Sequence, residues 1–273
     1  MAGVYDVYGL SSRPERLTSV AYRQARAGGG IEAAQLPVDR ITVDRLPAGC
    51  RAVLVAGDLQ GVASPPFGGD PVLLGVALAD YLTVWAEVGL LPPPTEVGVL
   101  LAGDLYSAPG ADRRGVSGDV TDVWLAFAAA GCPFVVGVAG NHDEIDAAEV
   151  AGMGPAVRLL DGDRFTAGGV LFGGVGGVTG GPDRPGRRSE RAFLAAIAEL
   201  TGTPPVDVLV LHEGPSGDEP GQLGNAAVRR LLERRPPALT VCGHVHWNQP
   251  LSRLGAGQVA NVDGRALLLV GGS

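Results

Sequence analysis

Five short, almost unbroken apolar runs constrain this chain most, because each stops at residues able to hold a metal ion or move a proton. They span residues 52–56, 97–101, 134–138, 206–211 and 239–241. A strand with apolar side chains on both faces must be covered on both faces, so these runs read as central strands. Longer periodic stretches at 71–88, 119–130, 189–200 and 223–234 read as helices. Strands and helices alternating in this way predict βα units and a layered α/β fold. The tail, 258–263 then 265–270, reads as a hairpin turning at Asp263-Gly264.

The first run leads into Gly57-Asp58-Leu59-Gln60 and the second into Gly103-Asp104. The third leads into Gly140-Asn141-His142-Asp143, the fourth into His212-Glu213 and the fifth into Gly243-His244-Val245-His246. Open α/β sheets place their ligand crevice at the carboxyl ends of the strands. The chain has four histidines, and all four stand at these ends. One such histidine would ordinarily be a hydrogen-bonded core residue; four of them beside two aspartates and an asparagine predict a metal site. Asp58, Gln60, Asp104, Asn141, His212, His244 and His246 are too many ligands for one tetrahedral ion. Two ions sharing a carboxylate account for the number. Oxygen and imidazole donors without thiolate suit Mn, Fe, Zn or Ni. The glycine before four of these motifs is expected to let the backbone turn sharply towards the ions.

Composition removes several other chemistries. All 21 basic residues are Arg, which excludes a P-loop lysine, a Schiff base and a lysine general base. A net charge of −8 argues against a broad nucleic-acid-binding face. Three scattered cysteines, without C-x-x-C spacing, read as buried thiols in a reducing compartment. Neither uncharged stretch reads as a membrane span: 123–141 is divided by Gly131-Cys132-Pro133, and 165–182 carries eight glycines. No secretory leader is visible, so the cytoplasm is the expected compartment. Residues 1–50 carry no chemical motif and read as a partly mobile N-terminal extension packed on a single domain spanning 51–273.

The five motifs, in this order, resemble the signature of the calcineurin-like metallophosphoesterase superfamily. The resemblance runs from about residue 51 to residue 270. It implies two facing mixed β-sheets flanked by helices, an α/β/β/α sandwich. It also implies that Asp58 and His246 hold a first ion, that Asp104 bridges, and that Asn141, His212 and His244 hold the second. His142 would assist the leaving group, with Asp143 as one carboxylate able to orient it. The implied reaction is hydrolysis of a phosphate ester by a hydroxide shared between two divalent ions, on a small or nucleotide-like substrate.

Three features depart from that signature. Gln60 stands where the family usually has His, and its carboxamide oxygen favours Mn over Zn at a looser first site. Asp112-Arg113-Arg114-Gly115 lies eight residues after Asp104, further than the family's corresponding segment, although Arg113 and Arg114 remain candidates for substrate binding. The first motif also lies 50 residues into the chain. Tyr106, Ser107 and Glu213 are weaker candidates, equally well explained by packing or a solvated surface, and Arg187-Arg188 and Trp247 are better explained so. A non-catalytic protein-interaction scaffold of the same fold is the alternative reading. Gln60 leans towards it and the complete set of histidines against it.

Overall fold

The computed structural model describes residues 14–272. Nine strands form one sheet, in the order β10 (Val157–Leu159), β8 (Val135–Gly137), β6 (Val97–Leu101), β3 (Ala52–Gly57), β19 (Arg265–Gly271), β2 (Ile31–Val43), β1 (Glu15–Ala25), β4 (Val62–Ala63) and β5 (Val72–Leu73). Six form a second sheet, in the order β11 (Arg164–Ala167), β12 (Val170–Val175), β15 (Val208–Glu213), β16 (Leu239–Gly243), β18 (Gly257–Asn261) and β17 (Leu251–Leu254). Strands β3, β6 and β8 are parallel, as are β12, β15, β16 and β18. Two short pairs, β7 (Gly118–Asp119) with β9 (Asp143–Glu144) and β13 (Val178–Thr179) with β14 (Arg187–Arg188), complete the strands. The helices are α1 (Leu74–Glu87), α2 (Thr121–Ala129), α3 (Ala147–Gly152), α4 (Glu190–Leu200) and α5 (Ala226–Arg234).

Alternation along the strands sorts side chains into layers. Val53, Val55, Leu100 and Val136 of the first sheet pack against Phe172, Val208, Val210 and Val241 of the second. Their neighbours Leu54, Ala56, Val99 and Leu101 point the other way and pack with Leu78 and Leu82 of α1 and Trp124 and Phe127 of α2. On the far side, Leu209 and Leu211 meet Phe193 and Ile197 of α4 and Val228 and Leu232 of α5. The result is the expected helix–sheet–sheet–helix sandwich, and its double coverage explains why the central strands are apolar throughout.

Three segments go beyond or against the sequence reading. Residues 15–43 form a long antiparallel hairpin, and β2 pairs in parallel with β19 while Val20, Leu36 and Val38 enter the core. The tail is not a hairpin: β18 belongs to one sheet and β19 to the other, so Asp263-Gly264 carries the chain between sheets. The glycine-rich stretch contains β12. A Cβ at Gly173 would lie 2.8 Å from Val206 Cγ1, and one at Gly174 would lie 2.6 Å from Val138 Cγ1. Those glycines admit close packing from neighbouring elements.

Candidate metal centre

The carboxyl ends of β3, β6 and β8 in one sheet meet those of β15 and β16 in the other, and every sequence-predicted ligand stands at or just beyond one of these ends. The turns there are tight. Asp58, Asp104 and His244 have φ of 51°, 53° and 68°, three of the four positive-φ non-glycine residues among those described. Such conformations cost on the order of 1–3 kcal/mol each and persist only where surrounding structure holds them. Most of the preceding glycines serve close approach instead. A Cβ at Gly140 would lie 2.0 Å from Asp104 Oδ1, and one at Gly243 would lie 2.1 Å from Asp58 Oδ2. Only Gly103 is itself left-handed, at φ 83°.

Asp104, 3% exposed, is the hub. Its Oδ1 accepts the backbone N–H of His142 at 2.9 Å and lies 3.4 Å from His212 Nε2; its Oδ2 accepts the Gln60 amide at 2.8 Å. Fully buried His212 donates Nδ1–H to the Ala102 carbonyl at 2.8 Å, which fixes the tautomer and points Nε2 into the site. The His212 and His244 rings meet edge to face at 5.0 Å. Asp58 N–H donates to the Gly103 carbonyl beside it, and Asp58 Oδ2 accepts the backbone N–H of His244 at 2.9 Å, a bond that stitches the two sheets together at this point.

Burial opposes a charge on His212, but its hydrogen bond to Asp104 and the charges of Asp104 and Asp58 lift its pKa to about 9. Asp104 is held below the usual carboxylate range: burial opposes its charge, and the His212 hydrogen bond and charge overcome that opposition. Burial, then the His212 charge, pushes His244 down. Burial raises Asp58 well above its ordinary value, and the charges of Asp263 and Asp104 add to this.

Ligand atoms of Asp104, His212 and His244 lie within 4.8 Å of one another, the one such group of His, Cys, Asp or Glu among the described residues. Asn141 Oδ1 is buried without a hydrogen-bond partner, and buried His212 Nε2 faces only the Asp104 carboxylate. Native structures rarely leave such atoms unsatisfied. Carboxylate and imidazole donors therefore converge, and a buried carboxamide oxygen stands unpaired in the adjoining loop, a donor set that fits a divalent cation.

Asp58, Gln60, Asp104, His142 and His244 line a cleft of about 560 Å3. Arg113 and Arg114 stand on its wall despite their longer spacing from Asp104, together with Tyr106 and Ser107. His246 is turned aside: its side chain is 57% exposed and its Nδ1 is 3.2 Å from Asp263 Oδ1. Asp143 does not bond the His142 ring; its carboxylate accepts backbone N–H groups of Leu105 and Gly140 and so joins two ligand loops. Glu213 bonds Thr179 and Asn225 and does not orient His212. Arg188 pairs with Asp161 at 2.7 and 2.9 Å, and with Arg187 it lines a separate cavity. Trp247 is buried and donates to the Leu223 carbonyl, so it packs.

Tyr22, Gln24 and Glu32 from the β1–β2 hairpin also line the cleft, as does Asp263. The sequence carries no signal for them. The hairpin is remote in sequence from every motif, and Asp263 stands in what reads as an ordinary Asp-Gly turn.

The calcineurin-like phosphoesterase family model matches residues 52–248. No curated protein matches the sequence significantly. Among fifteen matching solved chains, a structure described as TT1561 of Thermus thermophilus has a TM-score of 0.51 at 19% identity. It covers 79% of this chain and 90% of its own, and at that identity the likeness concerns the fold. The family match takes in every strand end that carries a predicted ligand, and the chain belongs to the calcineurin-like phosphoesterase family.

Proposed function

We propose that this chain is a metal-dependent phosphoesterase acting on a small or nucleotide-like phosphate ester in the cytoplasm. The observation that carries the reading is the convergence of Asp104, His212 and His244 beside an open cleft, with Asn141 Oδ1 buried and unpaired next in sequence to His142, which lines that cleft. Asp104, Asn141, His212 and His244 would hold one divalent ion, with Mn best suited to the donors. Gln60 reaches the Asp104 carboxylate, and with Asp58 and His246 it would hold another. Divalent ions supply Lewis acidity when bound, lowering a water pKa to roughly 7 and neutralising phosphate charge.

The rest belongs to the chain. Arg113 and Arg114 bind the phosphate oxygens from the cleft wall, where guanidinium groups offer paired donors. His142, whose backbone is anchored to Asp104, places its ring in the cleft and delivers a proton to the leaving oxygen. Asp143 keeps the loops of Asp104 and Asn141 in register through its backbone hydrogen bonds. The net charge of −8 opposes binding of long polyanions and favours small substrates.

The test is hydrolysis of bis-p-nitrophenyl phosphate beside p-nitrophenyl phosphate by metal-stripped protein reloaded with Mn, with Asp104→Asn as control. Mn-dependent turnover that the control lacks is expected. A metal-loaded protein silent on these and on nucleotide esters would favour the interaction scaffold, towards which Gln60 leans.

A further inference from the structure

The two halves of the ligand set are in different states. On the His212 side Asn141 Oδ1 is buried without a partner, and His212 Nε2 faces only the Asp104 carboxylate. On the Asp58 side the imidazole of His246 is engaged at both nitrogens. Both ring nitrogens of His246 have partners: Nδ1 lies 3.2 Å from Asp263 Oδ1 and 3.3 Å from its carbonyl oxygen, and Nε2 lies 3.4 Å from Arg265 Nη2. With Nδ1–H donating to Asp263, the Nε2 lone pair receives the guanidinium N–H.

Arg265 is not free to swing away. It is 7% exposed, and the same Nη2 donates to the Trp247 carbonyl. Arginine keeps its charge in proteins, so a fixed cation stands beside the imidazole. Gln60 donates its amide N–H to Asp104 Oδ2, which leaves its carbonyl oxygen as the one atom it can offer an ion. Reversing that amide would set a carbonyl oxygen against a carboxylate. The described His, Cys, Asp and Glu residues form no second convergent group around Asp58.

We propose that Arg265 and Asp263 clamp His246 away from the ligand set. The chain then holds one divalent ion tightly on Asp104, Asn141, His212 and His244, and takes a second beside Asp58 only when the clamp opens. This rests on the metal-dependent reading above and makes Arg265 and Asp263 positioning residues. Binding of the second ion carries the cost of releasing two contacts and of bringing a cation towards a guanidinium.

Metal-stripped full chain is titrated with Mn, counting bound ion by elemental analysis after gel filtration and recording its electron paramagnetic resonance. Wild type is expected to take one ion with an uncoupled Mn spectrum, and a second at least ~10-fold more weakly. Asp263→Asn, which keeps the shape but weakens the hold on His246, should narrow that gap and bring on the exchange-coupled signal at lower Mn. Arg265→Met should narrow it further, and where that variant fails to fold Asp263→Asn decides alone. Two ions of matching affinity in wild type, or an unchanged gap in Asp263→Asn, would overturn the clamp while leaving metal dependence standing. No bound Mn at all would overturn both.

Discussion

A methyl group placed at Gly140 would lie 2.0 Å from Asp104 Oδ1 and 2.2 Å from the Asp104 backbone nitrogen. Neither atom can yield cheaply, because Asp104 is held by His142, Gln60 and its own left-handed turn. Gly140→Ala is therefore expected to displace the Asp104 carboxylate, weaken Mn binding at least ~10-fold and cost roughly 1–3 kcal/mol of stability. Mn titration and urea unfolding measure the two effects, and unchanged Mn affinity would deny the close approach its role. His142→Ala differs in kind, since its anchoring bond to Asp104 is made by the backbone and survives. That variant is expected to keep its metal content while kcat on an unactivated ester falls by about 10²–10⁴. Loss of metal along with turnover would move His142 into the ligand set. Residues such as these were legible in the sequence because each stands immediately after an apolar strand. Tyr22, Glu32 and Asp263 were not, because only tertiary pairing brings them to the cleft.

At the scale of the element, legibility followed coverage. Strands β3, β6, β15 and β16 are packed on both faces, so burial itself wrote a continuous apolar pattern into them. The β1–β2 hairpin has exposed positions interleaved along most of its length and therefore carries no such pattern. Glycine-rich β12 was equally hard to read, since close neighbours rather than strand propensity select Gly173 and Gly174. The hairpin is nonetheless part of the sheet: Leu36 is fully buried and β2 lies between β1 and β19. Leu36→Ala should cost about 2–5 kcal/mol in urea unfolding, with one cooperative transition. A loss under about 1 kcal/mol, or a separate early transition, would mark the hairpin as an appendage that folds onto a finished domain.

The two sheets of the molecule meet at the candidate metal centre. Asp104 and Asn141 follow strands of the nine-stranded sheet, whereas His212 and His244 stand at strand ends of the six-stranded one. An ion bound by all four would tie the sheets together, and a ligand at 100 times its Kd adds about 2.7 kcal/mol to folding stability. Proton linkage opposes it. Without an ion, His212 titrates near 9 in the folded chain, against about 6.5 when unfolded. The folded state then binds more protons between those values, and each pH unit crossed removes up to about 1.4 kcal/mol of stability. A metal ion requires the neutral imidazole, so its binding expels that proton and its affinity rises through the same window. Metal-stripped protein should accordingly lose Tm from about pH 6.5 to about 9, while protein saturated with Mn should hold or gain Tm over that range. Calorimetric titration of Mn at about pH 7.5, inside that window, in two buffers of different ionisation enthalpy should show proton release. Parallel Tm profiles with and without Mn, and no released proton, would place the ion somewhere other than on His212.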